Sequence, residues 1–126
     1  DGIDTLQLLG TSIDMDLTSL GNGNLQNIEY IDLTGIHQEH SYLIPLDNAL
    51  TLAIDDVLAV TDDNNVLKIM GDVGDTVGLT GMTNPMNEAG KPTYEIEAGQ
   101  KYYVYSATGS TAELWVDVDI QVNGVL

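Results

Sequence analysis

Two acidic turns in the middle of the chain carry the side chains best suited to bind a metal ion. The first turn is Asp62-Asp63-Asn64-Asn65, and in the second Asp72 and Asp75 flank Gly74. Calcium prefers carboxylate and carbonyl oxygens and takes roughly six to eight of them, so neither turn suffices alone. The first turn also lacks the glycine and the glutamate of an EF-hand. The alternative is an ordinary pair of Asp, Asn and Gly turns.

Two further pairs of carboxylates occupy alternate positions in predicted strands. Asp14 and Asp16 form one pair, and Asp117 and Asp119 form the other. Residues two apart in a strand point to the same face. If the two strands are neighbours, four carboxylates crowd one patch and require a cation; if they are not, both pairs are solvated faces.

The remaining reactive residues do not define a catalytic site. The segment 37–40 has a His at each end, but it matches neither order of the helical zinc motifs, and the chain has no cysteine. Paired carboxylates serve glycosidases, but such pairs are common in so acidic a chain. We therefore expect a protein that is not an enzyme, with a carboxylate-pair hydrolase as the alternative. Tyr103 and Tyr105 share one strand face, which fits either a small ligand platform or packing.

The composition restricts the partners. The 126 residues include 20 acidic side chains and three lysines, which gives a formal net charge of −17. Nucleic acid and anionic membranes need a basic protein surface, so neither is an expected partner. No apolar run approaches the roughly 20 residues of a membrane span, so we expect no direct membrane insertion. A calcium-rich medium would relieve the repulsion between the carboxylates.

Short apolar runs separated by turns rich in Gly, Asn and Asp predict an all-β fold. About nine strands recur roughly every dozen residues, at 1–9, 12–17, 27–33, 50–54, 66–70, 76–79, 93–96, 101–106 and 112–122. A short helical turn is predicted around Asp55–Val60. Apolar and polar residues alternate, and no segment is long enough for a helical crossover between parallel strands. We therefore expect a single domain over 1–126, an antiparallel β-sandwich with at most one short helix.

Two segments without a clear period are predicted loops. Residues 36–49 contain Pro45, which argues against a central strand and allows one short edge strand at Tyr42–Ile44. Residues 80–92 contain two prolines and two glycines. An alternative function follows from these loops, because together with the tyrosine strand they suit a module that binds a sugar or a peptide.

An ordered set of segments resembles the non-repeat modules of large RTX adhesins, which are calcium-dependent bacterial surface proteins exported by type I secretion. The set covers most of the chain and consists of segments 2–6, 27–35, 50–52, 56–58, 67–77, 102–105 and 114–120. Gly2-x-Asp4-x-Leu6 matches the second half of the RTX nonapeptide, in which the Asp binds calcium and the apolar residue enters the core. The resemblance thus adds Asp4 to the candidate calcium ligands.

The resemblance also implies a place and a role for the protein. The place is the bacterial cell surface, and the partners are calcium and neighbouring domains of the same large polypeptide. The role is structural, in support of adjacent ligand-binding domains. In some of these adhesins an inserted ligand-binding domain splits such a module, and the loops 36–49 and 80–92 are where that seam would lie. Because Asp1 begins in mid-pattern, we expect an excised module.

Overall fold

A computed structural model of the protein describes residues 3–8, 13–19, 26–34, 48–61, 65–82 and 93–123. Within these ranges the chain forms ten strands: β1 (Thr5–Gln7), β2 (Asp14–Asp16), β3 (Tyr30–Asp32), β4 (Ala49–Ala53), β5 (Val66–Met70), β6 (Thr76–Thr80), β7 (Tyr94–Glu97), β8 (Gln100–Ser106), β9 (Glu113–Asp117) and β10 (Gln121–Asn123). A 3-10 turn (Leu17–Ser19) follows β2, and one helix, α1 (Ile54–Val60), follows β4. This helix lies where the sequence predicts it. None of the helical segments in the described ranges is long and apolar enough to cross a membrane.

Most of the strands lie parallel to their neighbours, in two sheets. The six-stranded sheet has the order β1-β3-β5-β9-β8-β7, and the four-stranded sheet has the order β10-β6-β4-β2. Every described pairing in the four-stranded sheet is parallel. In the six-stranded sheet, the pairings among β1, β3, β5 and β9 are parallel as well. The hairpin β7–β8 adds two antiparallel pairings at one edge.

The chain alternates between the two sheets. The strands β1, β3, β5 and β9 of the six-stranded sheet are each followed by a strand of the four-stranded sheet, namely β2, β4, β6 and β10. We call each such pair a coil and number the coils 1 to 4 in chain order. The coils stack so that each strand pairs with the equivalent strand of the next coil. The β7–β8 hairpin comes between coils 3 and 4 and extends the six-stranded sheet alone.

The prediction of an antiparallel β-sandwich is therefore wrong, although the fold is rich in strands. Parallel neighbours need a long crossover connection, which is usually a helix. Here a strand of the opposite sheet takes the place of that helix, so the lack of long helical segments did not exclude parallel pairing. The alternation of apolar and polar residues did not discriminate either. Each sheet has one face on the core, which produces the same alternation in either architecture.

Inward-facing side chains from both sheets meet in one core. One register row of the six-stranded sheet consists of Leu6, Ile31, Ile69 and Val116. The equivalent row of the four-stranded sheet consists of Met15, Leu50, Val77 and Val122. The middle coils bury these side chains completely, and each such burial contributes about 1.5–3 kcal/mol. At the ends of the rows, Leu6, Met15 and Val122 are only half-buried.

Three strands end at an aspartate that turns the chain. Asp16, Asp32 and Asp117 each accept the backbone N–H of the residue two positions later, at 2.9, 2.9 and 3.0 Å. These Asx turns end β2, β3 and β9. The predicted strand 112–122 is consequently wrong in extent, because the chain turns after Asp117 and continues as β10 in the other sheet. The apolar alternation survives the turn because Ile120 is again buried.

Two buried polar residues connect all four coils where the chain enters the four-stranded sheet. Asn48 and Asp75 are 2% and 1% exposed. The Oδ1 of Asn48 accepts the N–H of Ile13 in coil 1 at 2.8 Å, and its Nδ2 donates to the carbonyl of Leu33 in coil 2 at 2.9 Å. The Oδ1 of Asp75 accepts the N–H of Asn48 at 2.8 Å. The carbonyl of Asp75 accepts the N–H of Gln121 in coil 4 at 3.1 Å.

Gly71 lies beside this connection, at a position with no room for a side chain. A Cβ atom on Gly71 would come within 2.8 Å of Asp75 Oδ2 and within 2.8 Å of two side-chain carbons of Ile120. Gly78, in β6, differs, because a Cβ atom there would first meet Thr51 Oγ1 at 3.7 Å, an ordinary contact.

We predict that Gly71→Ala lowers the free energy of unfolding by about 1–3 kcal/mol, the usual cost of overpacking a core. The matched control, Gly78→Ala, should change it by less than about 1 kcal/mol. Urea unfolding followed through the fluorescence of Trp115 measures both values. Equal losses in the two variants would show that crowding of residue 71 against Asp75 and Ile120 does not cause the loss of stability.

Candidate functional site

A pocket of about 450 Å³ lies on the outer face of the six-stranded sheet, where β3, β5 and β9 end. Asp32 and Met70, at the ends of β3 and β5, are paired in register, as are Asp117 in β9 and Tyr102 in β8. All four line the pocket. Asp32, Met70 and Asp117 face outward because the core row Ile31, Ile69 and Val116 occupies the positions just before them. Tyr102 faces outward because it is paired with Asp117.

The strand ends and one turn complete the pocket lining. Thr34, Asp72 and Asp119 each follow a strand end by two residues and lie at the rim of coils 2, 3 and 4. Glu97 and Gln100, at the turn between β7 and β8, line the opposite side. The hairpin therefore contributes to the pocket as well as to the sheet.

Beside the pocket, Lys68 contacts both a carboxylate and two aromatic rings. Its Nζ forms an ion pair with Glu97 and lies 4.7 Å from the ring centroid of Trp115 and 5.2 Å from that of Tyr30. The hydroxyl of Tyr30 donates to the other carboxylate oxygen of Glu97. The rings of Trp115 and Tyr102 pack with centroids 6.1 Å apart. Because Lys68 belongs to β5 and Glu97 to β7, this cluster fastens the hairpin to coil 3.

The hydrogen bonds of the cluster determine its ionisation. Those from Lys68 and Tyr30 lower the pKa of Glu97. The hydrogen bond to Glu97, together with burial, raises the pKa of Tyr30. Burial acts to lower the pKa of Lys68, but hydrogen bonds to Glu97 and Tyr30 outweigh it and raise that pKa. Burial is also the main cause that raises the pKa of Tyr102 to about 12. At neutral pH the ion pair is therefore charged and both tyrosines are neutral.

Asp117 is the most buried carboxylate of the pocket, at 5% exposure. Burial raises its pKa, and backbone hydrogen bonds from Asp119 and Gly71 offset part of that effect. The nearby charges of Asp119 and Asp72 raise the pKa of Asp117 further. The electrostatics of the pocket thus favour a cation or a neutral hydrogen-bond donor and disfavour an anion.

Three predicted calcium ligands, Asp72, Asp117 and Asp119, line this pocket. Within the described ranges, no group of three or more acidic or histidine side chains is placed to hold one metal ion. Calcium binding therefore stays a prediction.

The other acidic pair lies far from this pocket in the topology. Asp14 and Asp16 belong to β2, at the edge of the four-stranded sheet, whereas Asp117 ends β9 in the other sheet. The condition for four crowded carboxylates is therefore not met. Asp16 accepts hydrogen bonds from the hydroxyls of Thr18 and Ser19, and these bonds lower its pKa.

The remaining described candidates take part in backbone hydrogen bonds. Asp75 accepts N–H groups on both carboxylate oxygens, from Asn48 at 2.8 Å and from Asp72 at 2.7 Å. Asp4 is exposed, and its N–H donates to the carboxylate of Glu29. Asn65 adopts a left-handed conformation, with φ at 56°, just before β5. Its side chain donates to Thr111 Oγ1 at 3.0 Å.

The two tyrosines of the predicted ligand platform face the core side of the sheet. Tyr105 is a member of the core, and burial raises its pKa. Tyr103 is half-buried and packs against the core. These positions fit the packing alternative. Asp62, Asp63, the segment 37–40, the edge strand at 42–44 and most of the loops 36–49 and 80–92 lie outside the described residues.

Two features of the structure were not anticipated from the sequence. The first is a repeated tripeptide, Asp16-Leu17-Thr18 and Asp32-Leu33-Thr34. In both copies the Asp accepts from the N–H and the hydroxyl of the Thr, and the Leu is buried. The second is the cluster around Lys68. The sequence feature that could have indicated this cluster is a lysine at an outward position of an otherwise apolar strand, in a chain with three lysines and no arginine.

Comparison with known proteins adds no assignment. No protein-family model matches the sequence, and no curated protein or solved structure shows a significant match to the chain. The fold and the pocket therefore carry the functional argument together with the sequence.

We predict that Lys68→Met raises the pKa of Glu97 towards its ordinary value, because the strongest hydrogen bond that favours the carboxylate is lost. The native contact stabilises the fold above the pKa that Glu97 has in the unfolded chain. That stabilisation is lost as the pH falls through the lower, folded pKa. Carboxyl NMR of Glu97 across the acid range measures the change. Lys101→Met is the matched control, since Lys101 contacts the rings of Tyr94 and Tyr103, and an equal shift in both variants would contradict the assignment.

Proposed function

We propose that this protein is a non-catalytic structural module of an extracellular bacterial RTX-type adhesin, stacked on and supporting neighbouring domains of the same polypeptide. One observation carries the proposal. Among the described strands, β1 and β2 each form one edge of their sheet, and both belong to coil 1. The same end of the stack therefore presents two open parallel edges, one in each sheet.

An open edge is a template for another strand, and proteins generally cover or pair it. In stacked-coil architectures each unit contacts its neighbours, so an end coil is incomplete without a cap or a further coil. The half-buried state of Leu6 and Met15 in coil 1 supports this, because a further coil would bury both. The resemblance of Gly2-x-Asp4-x-Leu6 to half of an RTX nonapeptide supports a neighbour that consists of such repeats.

The opposite end of the six-stranded sheet supports a structural role. There the β7–β8 hairpin covers β9 and is fastened to coil 3 by the ion pair of Lys68 with Glu97. The pocket remains the place to look for the alternative function, a module that binds a small ligand, because it combines tyrosine rings with acceptor groups. A glycan array separates the two functions, since the structural module predicts no ligand.

A fusion at the open end tests the stacking. We expect RTX nonapeptide repeats placed before Asp1 to raise the thermal midpoint in millimolar calcium by several degrees. The reason is that burial of the coil 1 edge worth about 1 kcal/mol shifts the midpoint by about 4 °C. The control fusion carries the same residues in scrambled order. No difference between the two fusions would overturn the proposal.

Calcium stabilisation of the chain itself has a separate test. Because the net charge is −17, we expect millimolar calcium added after EDTA to raise the unfolding midpoint more than equimolar magnesium. At a hundredfold excess over Kd, binding to the folded state alone stabilises by about 2.7 kcal/mol. An equal rise with magnesium, or no rise, would show that the acidity is surface charge only.

A further inference from the structure

The two sheets end at different coils, which leaves a step in the fold. Beyond β9 the six-stranded sheet continues with β8 and β7, whereas among the described strands the four-stranded sheet ends with β10. Because β9 and β10 form coil 4, the hairpin extends past the last strand of the opposite sheet. We call the core-side face of this hairpin the shelf, and it carries Tyr94, Ile96, Lys101 and Tyr103.

Pairing register assigns these side chains to that face. Tyr103 is opposite Val116, which is fully buried in the core, and Tyr94 is opposite Tyr103. Ile96 is opposite Lys101, two residues further along the same face. The shelf is therefore an extension of the surface that the four-stranded sheet covers under coils 1 to 4.

The shelf is apolar and exposed, and it carries one positive charge. Ile96 and Tyr94 are 64% and 47% exposed. The Nζ of Lys101 lies 4.2 Å from the ring centroid of Tyr94 and 5.9 Å from that of Tyr103. Exposed large apolar side chains that cluster at an edge mark interaction surfaces more often than scattered ones do.

The neighbouring edge of β10 presents backbone groups at the same step. Gln121 donates its N–H to the carbonyl of Asp75, which directs the backbone groups of Gln121 towards β6. Backbone groups of consecutive strand residues point to opposite sides, so those of Val122 point away from β6. A strand added here would pair with β10 and lie face to face with β8.

We propose that the shelf and the outer edge of β10 bind a β-hairpin from an adjacent domain of the same polypeptide. The proposal rests on the structural function above and specifies its second contact surface. The occupant continues the established interface between the two sheets, and its two strands match the two-strand width of the shelf. Its inward side chains are apolar, with a carboxylate opposite Lys101.

A second copy of the chain does not fit the step. Antiparallel pairing of two β10 strands about a two-fold axis would place the partner's hairpin over the first copy's β10, where β9 already lies. The net charge of −17 on each copy opposes the same contact. The shelf therefore accepts a narrow segment and excludes a whole second coil stack.

The test extends the full chain after Leu126 with a flexible linker and a short hairpin built on an Asn-Gly turn. The inward positions of the added hairpin carry valine, with one glutamate for Lys101. We expect the amide of Val122 to exchange about tenfold more slowly than in the unextended chain. The thermal midpoint should rise as well. An extension of the same composition in shuffled order should produce neither change.

A point variant locates the contact. In the extended chain, Ile96→Asp should abolish both gains, whereas Ile3→Asp, at the other end of the stack and 73% exposed, should leave them intact. The proposed binding at the shelf would be contradicted if Ile96→Asp kept the slower exchange and the higher thermal midpoint, or if the shuffled extension produced equal gains. The repeat fusion before Asp1 tests the opposite end of the stack. Failure of that fusion would contradict the proposed structural function, whereas failure of the hairpin extension would contradict only the proposed binding at the shelf.

Discussion

The stack depends on a chain of buried hydrogen bonds through Asn48 and Asp75. The Asn48 side chain links coil 2 to coil 1, the Asp75 side chain links coil 3 to coil 2, and the Asp75 backbone carbonyl links coil 3 to coil 4. A buried polar group left without its partner costs about 1–3 kcal/mol, so each coil is held in the one register that satisfies its neighbours. Apolar rows alone do not achieve this, because Leu, Ile and Val side chains make similar contacts after a shift along the strand. The position of the Asp75 carboxylate also explains why residue 71 is a glycine, because a side chain at Gly71 would occupy the same space.

The acidity of the chain has more than one physical role. Asp16, Asp32 and Asp117 end strands by accepting backbone N–H groups, and Asp75 accepts two such groups inside the fold. Such carboxylates are structural parts of the backbone hydrogen bonding. Glu97 differs, because it contacts one of the few basic residues and fastens a hairpin. Part of the charge is thus tied to the turns and corners of the fold.

Local structure was predictable from the sequence, whereas the pairing of strands was not. The strand β5 was predicted with its observed bounds, and the helix after β4 was predicted within one residue, because period and turn residues are local signals. Direction of pairing depends on the path between strands, and here that path runs through the other sheet. The alternation from 112 to 122 shows the same limit, because a tight corner at Asp117 kept the apolar period while the chain changed sheets. Of the site, the outward carboxylates Asp72, Asp117 and Asp119 were predicted, but Lys68, Tyr30 and Glu97 come from separate strands and meet only through the coil order.

The direction of stacking has a mechanical consequence. In both sheets the backbone hydrogen bonds between coils run along the axis of the stack, and β1 and β10 lie at its opposite ends. A force that separates these ends acts in line with those bonds, and every inter-coil row carries it because the rows lie in series along the axis. The bonds through Asn48 and Asp75 point the same way and span every row, so they resist the same force. Under tension the module would therefore separate coil by coil. Coil 1, with its open edges, and the β7–β8 hairpin, which is held to coil 3, would set where that separation begins.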